Sequence, residues 1–283
     1  MPSRTTISPA LREWILATTR AGHSVADVLQ LMKDSGYDPR QSRSMVAEVL
    51  KLPLAALHAS TGHSLPSLRT THPEAPAVSV DGHAIDVLLS VDAPLVRLLD
   101  GVLTGAECDE LIELARPRLQ RALTVDNHGG QQVDQRRTSE GMFFGLDELP
   151  LIGRIEQRLA SLLGVPADHG EGLQILHYLP GQAYEPHYDW FDPDQPGFAS
   201  VTAAGGQRIA SVVMYLNTPA LGGGTAFPEI GLTVTARRGS AVYFAYETGD
   251  RSSLHAGLPV QRGEKWIATK WLRERPYRSP AKR

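Results

Sequence analysis

Residues 265–272 read Lys-Trp-Ile-Ala-Thr-Lys-Trp-Leu, a run without glycine or proline that is typical of a β-strand. Because alternate side chains of a strand point to the same side, Lys265, Ile267, Thr269 and Trp271 would share one face. A lysine on a largely apolar face needs a partner of opposite charge, since burial of an unpaired charge is costly. The run therefore predicts a buried strand and a special role for Lys265.

Other strand-like runs, separated by glycine and proline clusters, precede this one in the sequence. They are residues 173–178, 208–216, 232–235 and 241–245. Two amphipathic helices are predicted before them, at residues 106–119 and 150–163. Many short strands after a few helices, without β-α-β alternation, are typical of an antiparallel barrel or sandwich with helices on one side. The expected fold class is therefore α+β or mainly β.

Three short helices are predicted at the N-terminus, where Ser8, Ser24 and Asp38 each precede a segment with apolar residues at helical spacing. A stretch rich in Ser, Thr, Pro, His and Gly follows, which indicates a linker. The predicted division is a small helical domain at 1–58, a linker at 59–84 and the main domain at 85–283. Because a bundle of this size is marginally stable alone, we expect it to bind a partner or a substrate.

Composition limits the classes of function and the compartment. The chain has 283 residues and a formal net charge of −3, which gives no electrostatic case for binding nucleic acid or an anionic membrane. No apolar run approaches the roughly 20 residues of a membrane span, and the N-terminus lacks a signal-peptide pattern. The single cysteine, Cys108, cannot form an internal disulfide, which favours a reducing cytoplasm.

The tripeptide His187-Tyr188-Asp189 could present two metal ligands from the end of a strand, because residues i and i+2 face the same way. His255 could supply a third ligand from another strand. Two imidazoles and one carboxylate leave three positions of an octahedral metal open, as non-haem Fe(II) oxygenases require. The His-x-Asp pattern alone is weak, and taken by itself His187 is equally well explained as a structural or surface histidine.

Lys265 follows His255 by ten residues, and the intervening residues 261–264 resemble a turn. A strand, a turn and a second strand would bring the lysine close to the metal site. There its ammonium could hold the distal carboxylate of 2-oxoglutarate. Two simpler interpretations stay open: a solvated lysine at a strand edge, and a Zn(II) hydrolase on the same three ligands, which leaves the lysine unexplained.

Several longer motifs carry a resemblance to a known family. They are Tyr-Glu-Pro-His-Tyr-Asp at 184–189, Gly-Gly-Gly-Thr-Ala-Phe-Pro at 222–228, Ser-Leu-His-Ala-Gly-Leu-Pro-Val at 253–260, Gly-Glu-Lys-Trp at 263–266 and Thr-Lys-Trp at 269–271. In order and spacing, the stretch from about residue 95 to 275 resembles the prolyl 4-hydroxylase family of Fe(II)/2-oxoglutarate dioxygenases. The resemblance implies a double-stranded β-helix (jelly-roll) core flanked by helices.

The resemblance also implies roles for individual residues. Three match the iron ligands of the family: His187, Asp189 and His255. Three match residues at the co-substrate 2-oxoglutarate: Lys265, Tyr178 and Thr225. Three match positions along the substrate groove: Arg137, Tyr184 and Trp271. The last set is the weakest, because an aromatic residue on a strand face more often belongs to the core.

The implied reaction is hydroxylation of an unactivated C–H bond by O2, coupled to conversion of 2-oxoglutarate to succinate and CO2, with ascorbate as a reductant. A prolyl residue in a peptide or protein is the leading substrate. Two alternatives stay open, because fold analogy does not separate them. One is the same chemistry on a free amino acid or another small metabolite. The other is a protein-binding module on a metal-stabilised barrel, against which Lys265 and Tyr178 argue, since a scaffold needs no co-substrate clamp.

Overall fold

The computed structural model describes residues 7–52, 66, 68, 75–80, 82–92, 94–121, 123–125, 131–133 and 138–278. Contacts within the chain divide it into two compact units, Met1–Leu65 and Pro66–Arg283. Among the described helices, none combines the length and the apolar character that crossing a membrane requires.

The described residues of the N-terminal unit form three helices: α1 (Pro9–Arg20), α2 (Val25–Asp34) and α3 (Pro39–Leu50). Each begins where the sequence predicts it, because the preceding polar side chain accepts a hydrogen bond from a backbone N–H of the first turn. Apolar side chains from all three helices, among them Ile15, Val28 and Val46, pack into one buried cluster. The function of this unit stays a prediction.

The larger unit is built mainly from antiparallel strands. Their bounds are β1 (Ala77–Val80), β2 (His83–Asp92), β3 (Leu95–Asp100), β4 (Gln120–Arg121), β5 (Leu123–Val125), β6 (Gln131–Val133), β7 (Glu140–Phe144), β8 (Leu173–Tyr178), β9 (Tyr184–His187), β10 (Arg208–Tyr215), β11 (Leu221–Gly222), β12 (Thr225–Phe227), β13 (Leu232–Val234), β14 (Ala241–Ala245), β15 (His255–Gly257), β16 (Val260–Arg262) and β17 (Lys265–Arg273). The helices of this unit are α4 (Gly105–Ala115), α5 (Pro150–Leu163) and α6 (Phe198–Ala203).

Two sheets organise these strands. The large sheet has the order β1-β2-β3-β14-β10-β17-β8-β7-β4, and the small sheet has the order β13-β12-β15-β9. Two further pairs, β11–β16 and β5–β6, are separate. Strand β17 lies between β10 and β8, and all of its residues are buried. The predicted buried strand at residues 265–272 is therefore confirmed, and it extends by one residue.

The core of the larger unit combines apolar side chains of both sheets. Phe244 and Ile267 come from the large sheet, whereas Phe227 and Val234 come from the small one. Ile267 lies two residues after Lys265, so the lysine shares the apolar face that its strand turns to this core. Each large apolar side chain buried in this way contributes about 1.5–3 kcal/mol to folding. An antiparallel β architecture with helices is therefore confirmed.

Two predicted boundaries differ from the structure. The helix expected at residues 106–119 ends at Ala115 and continues as one 3₁₀ turn, because Pro117 has no N–H to extend the α-helical hydrogen bonds. Strand β1 and the first residues of β2 fall inside the expected linker at 59–84. Residues Ala77–Val80 alternate between exposed and buried, as expected for a strand with one buried face. The sequence did not reveal this strand, because it has only four residues and lies in a Pro- and Ser-rich stretch. Residues 59–65 of that linker lie outside the described part of the chain.

On the other face of β17, a buried ion pair joins the strand to α5. The Nζ atom of Lys270 lies 2.5 Å from Oε1 of Glu156, and both side chains are buried. The other carboxylate oxygen of Glu156 accepts a hydrogen bond from the backbone N–H of Asp147 at 3.0 Å. Burial lowers the pKa of Lys270, although the charge of Glu156 opposes this effect. The pair therefore holds the helix against the sheet that carries Lys265.

Replacing this carboxylate by an amide tests the pair. We expect Glu156→Gln to lower the free energy of unfolding by about 3–5 kcal/mol, because it leaves the ammonium of Lys270 buried without a counter-charge. The matched replacement Asp109→Asn removes an exposed partner of Arg238 and should cost about 1 kcal/mol or less. Urea denaturation followed by fluorescence measures both values. Equal, small effects for the two variants would show that the buried pair contributes little.

Candidate active site

Pairing of two strands in the small sheet places the predicted metal ligands together. His187 ends β9 and His255 begins β15, and the two residues lie opposite each other in the antiparallel register. Asp189 follows two residues after His187. One donor atom from each of the three side chains lies within 4.8 Å of the others. Elsewhere in the described chain, no other group of three such side chains is as close.

Hydrogen bonds to the backbone fix how the two imidazoles are presented. Nδ1 of His187 lies 2.7 Å from the carbonyl oxygen of Glu185, and Nδ1 of His255 lies 3.0 Å from that of Ser253. A carbonyl only accepts, so each Nδ1 carries a proton and each Nε2 presents a lone pair. These Nε2 atoms lie 3.8 Å and 3.5 Å from the two carboxylate oxygens of Asp189. The three side chains thus direct metal-binding atoms towards one point.

The carboxylate of Asp189 is buried yet ionised. Burial raises its pKa, but electrostatic interactions with His255, His187 and Arg208, together with a hydrogen bond from Ser211, outweigh burial and lower the pKa to about 2. The hydroxyl of Ser211 donates this hydrogen bond to Oδ2 at 2.5 Å. A metal ligand must be deprotonated at working pH, and this carboxylate meets that requirement.

Lys265 forms the second part of the site. Its side chain is 2% exposed, and Nζ lies 5.3 Å from the ring centre of Tyr178, the residue opposite it on β8. The ring centre of Tyr215 is 5.9 Å away on the other neighbouring strand. Nζ makes no hydrogen bond or ion pair to any residue that the structure describes. Burial therefore lowers the pKa of Lys265 to about 8, and a ligand carboxylate would restore the missing counter-charge.

Thr225 connects the lysine pocket to the three predicted metal ligands. Its hydroxyl accepts a hydrogen bond from the phenol of Tyr215 at 2.8 Å, and the residue is buried. In the small sheet Thr225 lies opposite Gly257, two residues, or about 7 Å, along β15 from His255. The structure thus brings Thr225 into the same region as Tyr178 and the lysine. Tyr215 has no motif that would have identified it from the sequence.

The glycine run before Thr225 is explained by close backbone approach. Gly222 and Gly223 have positive φ angles of 78° and 73°, which glycine adopts without strain. A Cβ atom on Gly222 would lie 2.4 Å from the carbonyl oxygen of Pro259, and one on Gly223 would lie 3.2 Å from Cδ of Lys265. Side chains at these positions would displace the strand that carries Thr225 or the stem of the lysine.

Two of the residues predicted for the substrate groove lie around this cluster. The ring of Tyr184 stacks on that of His187, with 3.6 Å between ring centres. Trp271 is buried opposite Ser211, and the guanidinium of Arg208 lies 4.0 Å from the centre of its ring. Arg137 lies outside the described residues. A role in substrate binding stays a prediction for all three groove residues.

Comparison with known proteins identifies relatives. The family model described as the 2OG-Fe(II) oxygenase superfamily matches residues 173–273, which include all three clustered ligands. The chain is 40% identical over 209 residues to probable prolyl 4-hydroxylase 10 of Arabidopsis thaliana, covering 65% of this chain and 71% of that protein. It is 37% identical over 205 residues to prolyl 4-hydroxylase 2 of the same organism, covering 63% of this chain and 67% of that protein.

A solved structure supports the same relationship. The viral collagen prolyl hydroxylase of Paramecium Bursaria Chlorella virus-1, determined as a 2OG complex, is similar to this chain with a TM-score of 0.51 and 29% identity. The similarity covers 63% of this chain and 95% of the viral one. The fold and the sequence therefore point to the same group of proteins.

The unpaired charge of Lys265 should appear as a pH dependence of stability. Its pKa of about 8 lies below the 10.5 of an ordinary lysine, so between these pH values the unfolded chain binds a proton that the folded protein does not. The stability of the wild type should therefore rise by about 3 kcal/mol from pH 8 to pH 10.5, relative to Lys265→Met. Urea denaturation at a series of pH values measures the difference.

A second buried lysine provides the control for this prediction. At pH 7 we expect Lys265→Met to stabilise the ligand-free protein, because the variant removes a buried unpaired charge. Lys270→Met should destabilise it, because this change leaves the carboxylate of Glu156 without its cation. A loss of stability in both variants would indicate that Lys265 already has an anionic partner.

Proposed function

We propose that this chain, which belongs to the prolyl 4-hydroxylase family within the 2OG-Fe(II) oxygenase superfamily, hydroxylates a prolyl residue in a peptide or protein. 2-Oxoglutarate is the co-substrate, O2 supplies the hydroxyl oxygen, and succinate and CO2 are released. The observation that carries this proposal is the convergence of His187, Asp189 and His255 within the matched segment.

The donor set of the cluster fits ferrous iron. Two imidazole nitrogens and one carboxylate oxygen fill one face of an octahedron and leave three positions for a co-substrate and O2. A structural zinc site would instead be closed by four protein ligands. Iron bound there would supply the activation of O2 that oxidises the C–H bond. The backbone carbonyls at Nδ1 would hold both imidazoles in the tautomer that binds metal.

The pocket around Lys265 fits the distal carboxylate of 2-oxoglutarate. A buried ammonium without a counter-charge in the described chain gains most from a ligand that brings one. Thr225 accepts a hydrogen bond from Tyr215, so its own hydroxyl proton is available to donate to the same carboxylate. We assign Tyr178 to the wall of this pocket, since its ring lies beside the lysine. Together these groups would fix the orientation of the co-substrate at the metal.

The substrate would lie against the aromatic residues beside the cluster. We assign Tyr184 and Trp271 to the groove on the basis of the family resemblance, because aromatic rings are surfaces against which the apolar ring of proline can pack. We include Arg137 in the groove on the basis of the family resemblance. Placement of one C–H bond near the metal and exclusion of water are the contributions of such a groove to the rate.

Four finer points of the assignment remain predictions. We expect the two sheets to follow jelly-roll connectivity, and we expect ascorbate to act as a reductant. A cytoplasmic location rests on the single cysteine. A positioning role for the small helical domain at the N-terminus is the fourth.

A peptide assay tests the reaction and the substrate class together. With Fe(II), 2-oxoglutarate and O2, we expect the protein to release succinate and to add one oxygen atom to a proline-rich peptide, as mass spectrometry would detect. The same peptide with alanine in place of proline should gain no oxygen. His255→Ala should lose both signals. His23→Ala, which changes an exposed histidine between α1 and α2, should retain them.

The negative results of this assay are also informative. Oxygen gain on free proline but not on the peptide would replace the peptide by a small metabolite as the substrate. Absence of succinate with every substrate, in protein that binds metal, would contradict an oxygenase.

We further propose that residues 1–58 position a partner or a macromolecular substrate. The three helices have a core of their own, and they expose the large side chains Trp14, Leu31 and Tyr37, which are 38–40% accessible to solvent. These exposed apolar side chains are available for contact with a partner or a substrate.

Deletion of residues 1–58 tests this role. We expect the shortened protein to convert 2-oxoglutarate in the absence of substrate, and to hydroxylate a short peptide, at the rates of the full chain. Hydroxylation of a folded or long protein substrate should fall, because only that substrate would reach the deleted surface. Equal activity of the two proteins on all substrates would exclude a positioning role.

A further inference from the structure

Asp189 is held differently from the other two clustered side chains. His187 and His255 belong to paired strands, so the register of β9 and β15 fixes their backbones. Asp189 lies beyond the end of β9, where no strand pairing holds it. The direction of its carboxylate must therefore be set by side-chain contacts.

A chain of two hydrogen bonds supplies these contacts. The hydroxyl of Ser211 lies 2.5 Å from Oδ2 of Asp189, and the phenol oxygen of Tyr246 lies 2.8 Å from the hydroxyl oxygen of Ser211. All three side chains are buried, at 7% exposure or less. These bonds are therefore shielded from bulk solvent.

The direction of the chain follows from which atoms carry protons. An ionised carboxylate only accepts, so Ser211 must donate its single proton to Asp189. The serine oxygen can then only accept from Tyr246, whose phenol is protonated at neutral pH. The order is Tyr246 to Ser211 to Asp189, with each hydroxyl oriented by the next group.

Both hydroxyls come from the large sheet. Ser211 lies on β10, between Phe244 of β14 and Trp271 of β17, and Tyr246 directly follows β14. The backbone N–H of Tyr246 donates to the carbonyl of Ile209 at 3.1 Å, which holds the tyrosine against β10. The hydrogen-bond chain thus ties a ligand beside the small sheet to the interior of the large one.

We propose that Ser211 and Tyr246 are positioning residues that hold the carboxylate of Asp189 in its metal-binding orientation. The inference rests on the metal site of the proposed function. Groups that hydrogen-bond to metal ligands typically change metal affinity about 10- to 100-fold when removed, because the ligand loses its fixed direction.

Metal affinity is the direct test, and Co(II) is a suitable probe because it accepts the same nitrogen and oxygen donors. In calorimetric titrations of the full chain, Ser211→Ala should bind Co(II) about 10- to 100-fold more weakly than the wild type. Ser211→Thr keeps the hydroxyl and should bind as the wild type does. Tyr246→Phe should lose less affinity than Ser211→Ala, because the serine can still donate to Asp189.

Matched controls separate positioning from general packing. Ser240→Ala removes a buried hydroxyl that bonds to the carbonyl of Arg237, and Tyr243→Phe removes a buried phenol that bonds to the carbonyl of Pro66. Both should leave Co(II) affinity unchanged. The double variant Ser211→Ala/Tyr246→Phe should bind no more weakly than Ser211→Ala alone, because the tyrosine acts only through the serine.

Each outcome decides the inference. Equal affinity of Ser211→Ala and the wild type, at equal thermal stability, would overturn it, and so would fully additive losses in the double variant. If Ser211→Ala does not fold, the Co(II) affinities of Tyr246→Phe and Tyr243→Phe are compared instead. Equal affinities of these two variants would overturn the inference. Failure of the wild type itself to bind Co(II), or equal binding by His255→Ala, would contradict the metal site instead.

Discussion

Charges have to be held in the buried interior of the larger unit, and this constraint shapes its structure. Most buried charges of the described chain meet it by pairing. Glu156 is paired with Lys270, and Glu171 receives two bonds from Arg208 at 2.6 Å and 2.9 Å. Lys265 is different, because the structure describes no counter-charge for it. Since an unpaired buried charge costs stability, its presence indicates a site arranged for a charged ligand rather than for folding.

Each of the two sheets contributes different residues to the site. The small sheet sets the two histidines opposite each other through the β9–β15 register. The large sheet contributes Lys265 from β17 and Ser211 from the adjacent strand β10. Every residue of β17 is buried, as are the last six of β10, and each strand is hydrogen-bonded to a neighbour on both sides. Core side chains of both sheets pack in one cluster, so the distance between the two halves of the site is fixed by packing.

Much of the cluster could be predicted from the sequence because its residues lie in short, regularly spaced motifs. The alternation of a strand placed Lys265 on an apolar face, and the i, i+2 rule placed His187 beside Asp189. Tyr215, Ser211 and Tyr246 could not be found in this way, because each lies in or directly after a continuously buried stretch of strand, and only tertiary contact shows its partner. Strand β1 was missed because Ala77–Val80 is short and lies in a Pro- and Ser-rich stretch.

The pKa is lowered at both ends of the site, which favours the charged form of Asp189 but disfavours the charged form of Lys265. Both Asp189 and Lys265 are buried, which disfavours the charged form of each. The cation of Arg208, the two neighbouring imidazoles and a serine hydroxyl reverse this effect for the aspartate, whereas no described group reverses it for the lysine. The aspartate is therefore ionised and able to bind a cation. The lysine would be stabilised in its charged form by a bound anion. A dicarboxylate that bridges a metal and an ammonium satisfies both ends at once, which a zinc hydrolase site or an inert scaffold would not require.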